Sequence, residues 1–209
     1  MLGNHGRSIT KTIFTPLARL LLAAHVTPNM VTVTGTLVTI AVAVSTLPRG
    51  YLWQGALALG VVLFCDSIDG VLARMSGTSS PFGAFLDSTM DRLGDGAVFA
   101  SLVAFAVFTM EPSTTRTVAI IACLIAIVGA ATVPYARARA ESVGVIAKVG
   151  IAERTDRLIV ALLGAALYGW GAPVFFFAAG LCWVAFASLV TVIQRVHFTA
   201  RHIEQPTES

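Results

Sequence analysis

The chain has 209 residues, of which 56% are hydrophobic and only 12% charged, a balance that excludes an ordinary soluble domain and makes this an integral membrane protein. The formal net charge of +3 is small, so nucleic-acid binding has no support and the basic residues inform through their positions alone. At roughly 20 residues per crossing plus short loops, the length suits one all-α membrane domain of about six spans, with no room for a separate soluble domain.

From Ser8 to His25, Ile9, Ile13, Leu17, Leu20, Leu21 and Ala24 share one helical stripe, while Lys11, Thr15 and Arg19 step along another. That pattern predicts an amphipathic helix lying in the membrane interface over about 8–25. Arg7 and Lys11 ahead of an apolar run suit a signal peptide, but Pro16 and Arg19 interrupt the run, so the segment is read as part of the mature chain. Pro28 and Asn29 mark a turn, and spans are expected over about 30–47, 52–74, 82–110, 117–135, 158–168 and 172–193. Thr32, Thr34, Thr36 and Thr39 do not forbid the first span, because their hydroxyls can bond to their own helix. The second span is apolar as far as Cys65 and polar after it. The third is its mirror image, with Asp87, Asp91 and Asp95 first and an apolar run from Ala97 to Phe108. Cys65, Cys123 and Cys182 lie in apolar runs without paired-ligand spacing and read as reduced core residues.

Orientation follows from the basic residues in short loops. A cytoplasmic N-terminus gives that face Arg7, Lys11, Arg19, Arg74, Arg92, Arg137, Arg139, Lys148, Arg154, Arg157, Arg195 and Arg201, and leaves the other face Arg49 and Arg116. An even number of spans returns the C-terminus to the cytoplasm. The polar ends of the second and third spans then face the cytoplasm too.

Between those spans the chain reads DSIDGVLARMSGTSSPFGAFLDSTMD from Asp66 to Asp91. Asp66 and Asp69 are three apart and Asp87 and Asp91 four apart, so each pair shares a helix face. A short loop makes the two helices antiparallel neighbours, and four carboxylates at matched depths near apolar runs need a counter-charge to stay ionised. A divalent cation supplies it. Oxygen ligands with no His or Cys nearby favour Mg²⁺, with Mn²⁺ or Ca²⁺ as alternatives, and four carboxylates suffice for two ions. Gly70, Gly83 and Ala73 leave room for a ligand or for close helix approach, and Arg74 suits a phosphate. A buried salt network or an ion pathway is the competing reading.

This pattern, Asp-x2-Asp-Gly-x2-Ala-Arg-x8-Gly-x3-Asp-x3-Asp, resembles without departure the signature of the CDP-alcohol phosphotransferases. The resemblance implies a six-span fold with a leading amphipathic helix, a CDP-diacylglycerol donor, two metal ions on its diphosphate, release of CMP, and a homodimer in the cell membrane. Carried over position by position, it implies that Asp66, Asp69, Asp87 and Asp91 ligate metal and that Asp91 is also the general base. Gly70, Ala73, Arg74 and Gly83 would line the nucleotide site. Asn29 and Thr32, in PNMVT, are similar to the family's Pro-Asn-x-x-Thr segment and would contact the nucleotide, although Pro-Asn is also a plain helix start.

The signature does not name the acceptor. Arg137, Arg154 and Arg195 fall at the cytoplasmic ends of later spans, and such a cluster suits an acceptor that carries phosphate. YARARAE, IAERTDRL and VIQRVHF resemble the branch of the family that uses an inositol phosphate, in which these three positions bind it; the first is often lysine there, so Arg137 keeps the charge and changes the geometry. The expected reaction joins inositol 1-phosphate to the phosphatidyl group of CDP-diacylglycerol. Glycerol 3-phosphate is the alternative acceptor, and divalent-cation transport the alternative of another class. Arg139, Lys148, Arg157 and Arg201 read as topology anchors, and Tyr51, Trp53, Tyr168 and Trp170 as interfacial aromatics. Asp95 reads as support or packing, and Glu141 and Glu153 as partners of nearby arginines.

Overall fold

Thr27 caps the first helix by accepting a hydrogen bond from the Met30 N–H at 3.3 Å, and Pro28 fills the first helical position, where a missing N–H costs nothing. The structure is a computed structural model describing residues 16, 19, 20, 22–76 and 80–203, with the backbone alone for residues 66–71, 73, 74 and 76. Most of the amphipathic helix expected over 8–25 lies outside the described residues. Among the described residues from Pro28 onward six α-helices follow one another: α1 (Pro28–Thr46), α2 (Leu52–Ser76), α3 (Pro81–Phe108), α4 (Thr114–Ser142), α5 (Arg154–Gly169) and α6 (Phe175–His202). No strand occurs among the described residues.

Three further starts have a local cause. Ser80 caps α3 through the Gly83 N–H at 3.0 Å, Ser113 caps α4 through the Arg116 N–H at 3.1 Å, and at the head of α5 Asp156 accepts from the Glu153 N–H at 3.0 Å. Thr34 and Thr39 donate to Met30 and Gly35 carbonyls four residues back, which keeps their hydroxyls satisfied inside α1.

The helices outrun the apolar windows on which the expected boundaries rested. α4 continues through Pro134 to Ser142, past the expected end at 135, carried by helix-favouring Ala, Arg and Glu and by the Arg137–Glu141 pair at 2.9 Å. α5 begins at Arg154, where its cap lies, and not at Leu158. α6 starts at Phe175 and runs to His202, well beyond 193, because helix ends are set by caps and not by where the apolar stretch stops.

α1 packs on α2 and α3, α3 on α4, α4 on α6, α6 on α5, and α5 back on α2. The helices therefore close a ring. Leu59, Phe99, Leu102, Cys123, Leu158, Phe177 and Leu181 are buried inside it. Phe105 meets Phe177 edge-on at 5.6 Å and Tyr168 at 6.1 Å, so Tyr168 belongs to an internal aromatic cluster and is not the interfacial anchor expected. α5 and α6 cross closely at Gly164 and Gly180: a Cβ on Gly164 would stand 2.8 Å from the Phe176 carbonyl oxygen.

The outside is apolar as well. Leu57, Phe64, Phe108, Ile121, Val128, Phe186 and Ile193 are exposed, a surface suited to lipid and not to water. Pro28–Arg49, Thr114–Ser142 and Phe175–His202 are long and apolar enough to cross a bilayer, and α2 adds a shorter apolar stretch over Leu52–Cys65. The protein is an integral membrane protein.

Candidate active site

One face of α3 carries Asp87, Asp91 and Asp95 at one-turn intervals, and the three sit at increasing depth. Asp87 is exposed, Asp91 has a side chain 21% exposed, and Asp95 is 2% exposed. A helix rise of about 1.5 Å per residue carries this acidic face roughly 12 Å into the bundle. Asp66 and Asp69 lie on the last turns of α2, together with Gly70, Ala73 and Arg74; their side chains are outside the described residues.

The charge facing these carboxylates comes from α5. Arg154 Nη1 binds Asp91 Oδ1 at 2.8 Å, and its Nε donates to Asp95 Oδ1, also at 2.8 Å. Arg92 approaches the same two carboxylates, at 3.5 Å from Asp91 and 3.7 Å from Asp95. Arg154 thus stands between the acidic face and whatever lies beyond it.

Beyond it lies a cavity of about 220 Å³ lined by Arg92, Val133, Pro134, Arg137, Glu153, Arg154, Arg157 and Arg195. The three arginines singled out in the sequence, Arg137, Arg154 and Arg195, come from α4, α5 and α6 and share this one space. Arg195 is 8% exposed and donates from Nη1 to the Val133 carbonyl at 2.6 Å and from Nε to the Val149 carbonyl at 3.0 Å. Arg137 pairs with Glu141. Five guanidinium groups around one small space can meet a compact anion, and guanidinium geometry favours phosphate oxygens.

Two members of the cavity were not picked out from the sequence. Arg157 is no topology anchor: it is 2% exposed and donates to the Ala152 carbonyl at 3.1 Å. Its signal was the i, i+3 spacing from Arg154, which puts both on one face of α5. Arg92 follows Asp91 directly, and its buried Nε has no hydrogen-bond partner.

At the other border of the acidic face, α1 delivers Asn29 to α3. A Cβ built on Gly83 would lie 3.3 Å from Asn29 Oδ1 and equally close to Ser80 Oγ, so glycine keeps this approach open. Thr32 is buried one turn on and donates to the Pro28 carbonyl at 3.2 Å. Asn29, Thr32 and Gly83 thus cluster where α1 and α3 begin.

A larger, apolar groove of about 660 Å³ runs between α2 and α5, lined by Trp53, Ala56, Leu57, Gly60, Leu63 and Phe64 on one wall and Thr155, Ile159, Leu162, Leu163, Ala166 and Trp170 on the other. Trp53 and Trp170 meet at 6.1 Å at one end. The other end reaches Phe64 and Thr155, next in sequence to the Asp66 segment and to Arg154. Its length from Trp53 to Phe64 is about 17 Å by helix rise, close to one leaflet of a hydrocarbon core of about 30 Å.

A family model for CDP-alcohol phosphatidyltransferase matches residues 25–200. Phosphatidylinositol phosphate synthase from Cutibacterium acnes is 38% identical over 207 residues, covering 96% of this chain and 98% of the relative. The protein of the same name from Mycolicibacterium smegmatis is 41% identical over 186 residues, covering 87% and 81%. Among solved structures, Mycobacterium tuberculosis phosphatidylinositol phosphate synthase in complex with manganese and citrate superposes with a TM-score of 0.84 at 37% identity, over 90% of this chain and 88% of that one. The same enzyme with CDP-DAG bound gives 0.84 at 37% identity, over 90% and 94%.

Proposed function

The chain belongs to the CDP-alcohol phosphatidyltransferase family, and from that premise we propose that it transfers the phosphatidyl group of CDP-diacylglycerol to inositol 1-phosphate, releasing CMP. One observation carries the choice of a phosphorylated acceptor. Arg154 binds Asp91 at 2.8 Å and also lines the arginine cavity, so an acceptor phosphate held there leaves its hydroxyl within reach of Asp91.

Asp91 accepts the proton from that hydroxyl as its oxygen attacks the β-phosphorus of the donor. The new P–O bond forms as the bond from that phosphorus to the bridging oxygen breaks, and CMP departs with the electron pair. Arg137, Arg154 and Arg195 fix the acceptor phosphate, which turns the attack into a near-unimolecular step. Asn29, Thr32 and Gly83, with Gly70, Ala73 and Arg74 from α2, border the nucleotide. The groove between α2 and α5 takes the donor's acyl chains, on the strength of its apolar lining and its exit beside the Asp66 segment.

Asp87 and Asp91, with Asp66 and Asp69 from α2, would hold the metal; as hard oxygen donors alone they fit Mg²⁺ or Mn²⁺, two ions for four carboxylates. When bound, such ions supply neutralising charge for the diphosphate and the leaving CMP. In this reading the helices make six crossings and this end of the bundle faces the cytoplasm at the cell membrane, for which the distribution of Arg92, Arg137, Arg154 and Arg195 against Arg49 and Arg116 is the support; a homodimer is carried over from the family resemblance.

The test is CMP release and radiolabelled lipid product from purified protein, CDP-diacylglycerol and Mg²⁺, with either inositol 1-phosphate or glycerol 3-phosphate. Product with inositol 1-phosphate is expected. Product with glycerol 3-phosphate alone would reassign the acceptor, and metal flux across vesicles without CMP release would remove the enzymatic reading.

A further inference from the structure

Asp95 presents an unexplained expense. A carboxylate 2% exposed inside a membrane bundle is costly unless its charge is used, and Asp95 lies outside the signature whose carboxylates would hold metal. Its two oxygens divide between two cations: Oδ1 accepts from Arg154 Nε at 2.8 Å, and Oδ2 stands 3.7 Å from Arg92 Nη2. Both arginines line the cavity that also collects Arg137, Arg157 and Arg195. Five guanidinium groups around so small a space repel one another. Asp95, the more deeply buried of the two carboxylates that meet both Arg154 and Arg92, is a fixed anion behind them, and Arg92 is held with a buried Nε that donates to nothing.

We propose that Asp95 is the positioning residue of the acceptor site, a buried counter-ion that holds Arg154 and Arg92 as paired arms of a phosphate clamp, and that Arg92 itself binds the acceptor phosphate. This rests on the reading of the arginine cavity as the acceptor site. Asp95 touches neither substrate and acts through the two guanidinium groups. Asn at position 95 keeps the shape and loses the charge, so Arg154 is left with Asp91 as its one strong anion and turns away from the cavity.

The experiment is steady-state kinetics of Asp95→Asn, Arg92→Gln and Arg154→Gln, and of Asp95→Asn combined with Arg154→Gln, varying inositol 1-phosphate and CDP-diacylglycerol separately. Asp95→Asn and Arg92→Gln are each expected to raise the acceptor KM about tenfold, the scale of one charge-assisted hydrogen bond, with the donor KM changed less than about twofold. In the Arg154→Gln background Asp95→Asn is expected to add less than it does alone, because only the part of its effect that passes through Arg92 is left. An unchanged acceptor KM in Asp95→Asn, or donor and acceptor KM rising together, overturns the proposal. If Asp95→Asn does not yield folded protein, Arg92→Gln, with a side chain 26% exposed, decides by the same split. A wild-type enzyme active with glycerol 3-phosphate and not with inositol 1-phosphate would overturn the acceptor's identity alone; the same KM comparison, run with glycerol 3-phosphate, would still decide the role of Asp95.

Discussion

Arg195 divides its guanidinium between the fold and the cavity. Two of its donors reach the Val133 and Val149 carbonyls, tying α6 to the end of α4 and to the segment before α5, while the rest of the group lines the arginine cavity. Arg195→Gln is therefore expected to lower unfolding stability by about 2 kcal/mol, from one buried and one partly buried hydrogen bond, and to raise the acceptor KM more than the donor KM; thermal unfolding in detergent and two-substrate kinetics check the two parts. Asp91 carries the opposite expectation. Asp91→Asn keeps the side-chain volume, so CDP-diacylglycerol binding is expected to persist while CMP release falls by about 10²- to 10⁴-fold, the usual worth of a general base; full turnover would remove Asp91 from that role. The sequence made Arg137, Arg154 and Arg195 stand out, because basic residues at span ends are few enough to weigh one by one. It did not separate Arg157 from the anchors, since burial depends on which way a helix face turns once packed. Arg92 counted only toward the charge of one face, and an orphaned Nε has no sequence signature.

The positions of the six helices were legible from apolar runs broken by Pro-Asn, Pro-Arg-Gly and the Ser-rich loop, because each break supplies a cap or a turn. Their lengths were not. An apolar window measures what lipid requires of a helix, while the polar turns of α4 around Arg137–Glu141 and of α6 beyond Ile193 continue past it. α5 has the shortest apolar window of the six, 158–168, and its packing supplies what length does not. Gly164 lies against Gly180 and the Phe176 carbonyl of α6, so the two backbones approach where a side chain would hold them apart. Gly164→Leu is expected to destabilise the bundle by about 1–3 kcal/mol, the usual range for overpacking, and to lower activity by shifting Arg154 at the head of the same helix. Unfolding in detergent measures the first effect. A variant as stable as wild type would mean that α5 tilts away without cost.

Closing the ring through the α2–α5 contact gives the molecule two spaces of opposite character that come near each other at one end: a small cationic cavity among α3, α4, α5 and α6, and an apolar groove along the seam of α2 and α5. α5 belongs to both. Its Arg154 faces the cavity and Asp91, while Thr155, Ile159 and Leu163 line the groove, so in the proposed reading a lipid seated in the seam would end beside the arginine that holds the acceptor. This juxtaposition was not readable from the sequence, which showed the two tryptophans only as candidate belt residues. Gly60 offers a clean test, because it lines the groove and a Cβ there would meet nothing within 4 Å. Gly60→Phe is expected to fill the groove without disturbing the ring, leaving unfolding temperature and acceptor KM near wild type. The KM for a dipalmitoyl CDP-diacylglycerol is expected to rise several-fold, while a short-chain analogue that leaves the groove empty is used as before. Equal donor KM for the long-chain substrate in wild type and variant would place the acyl chains elsewhere on the bundle, and equal losses for both chain lengths would mean that the phenylalanine acts through α2 on the Asp66 segment instead of through the groove.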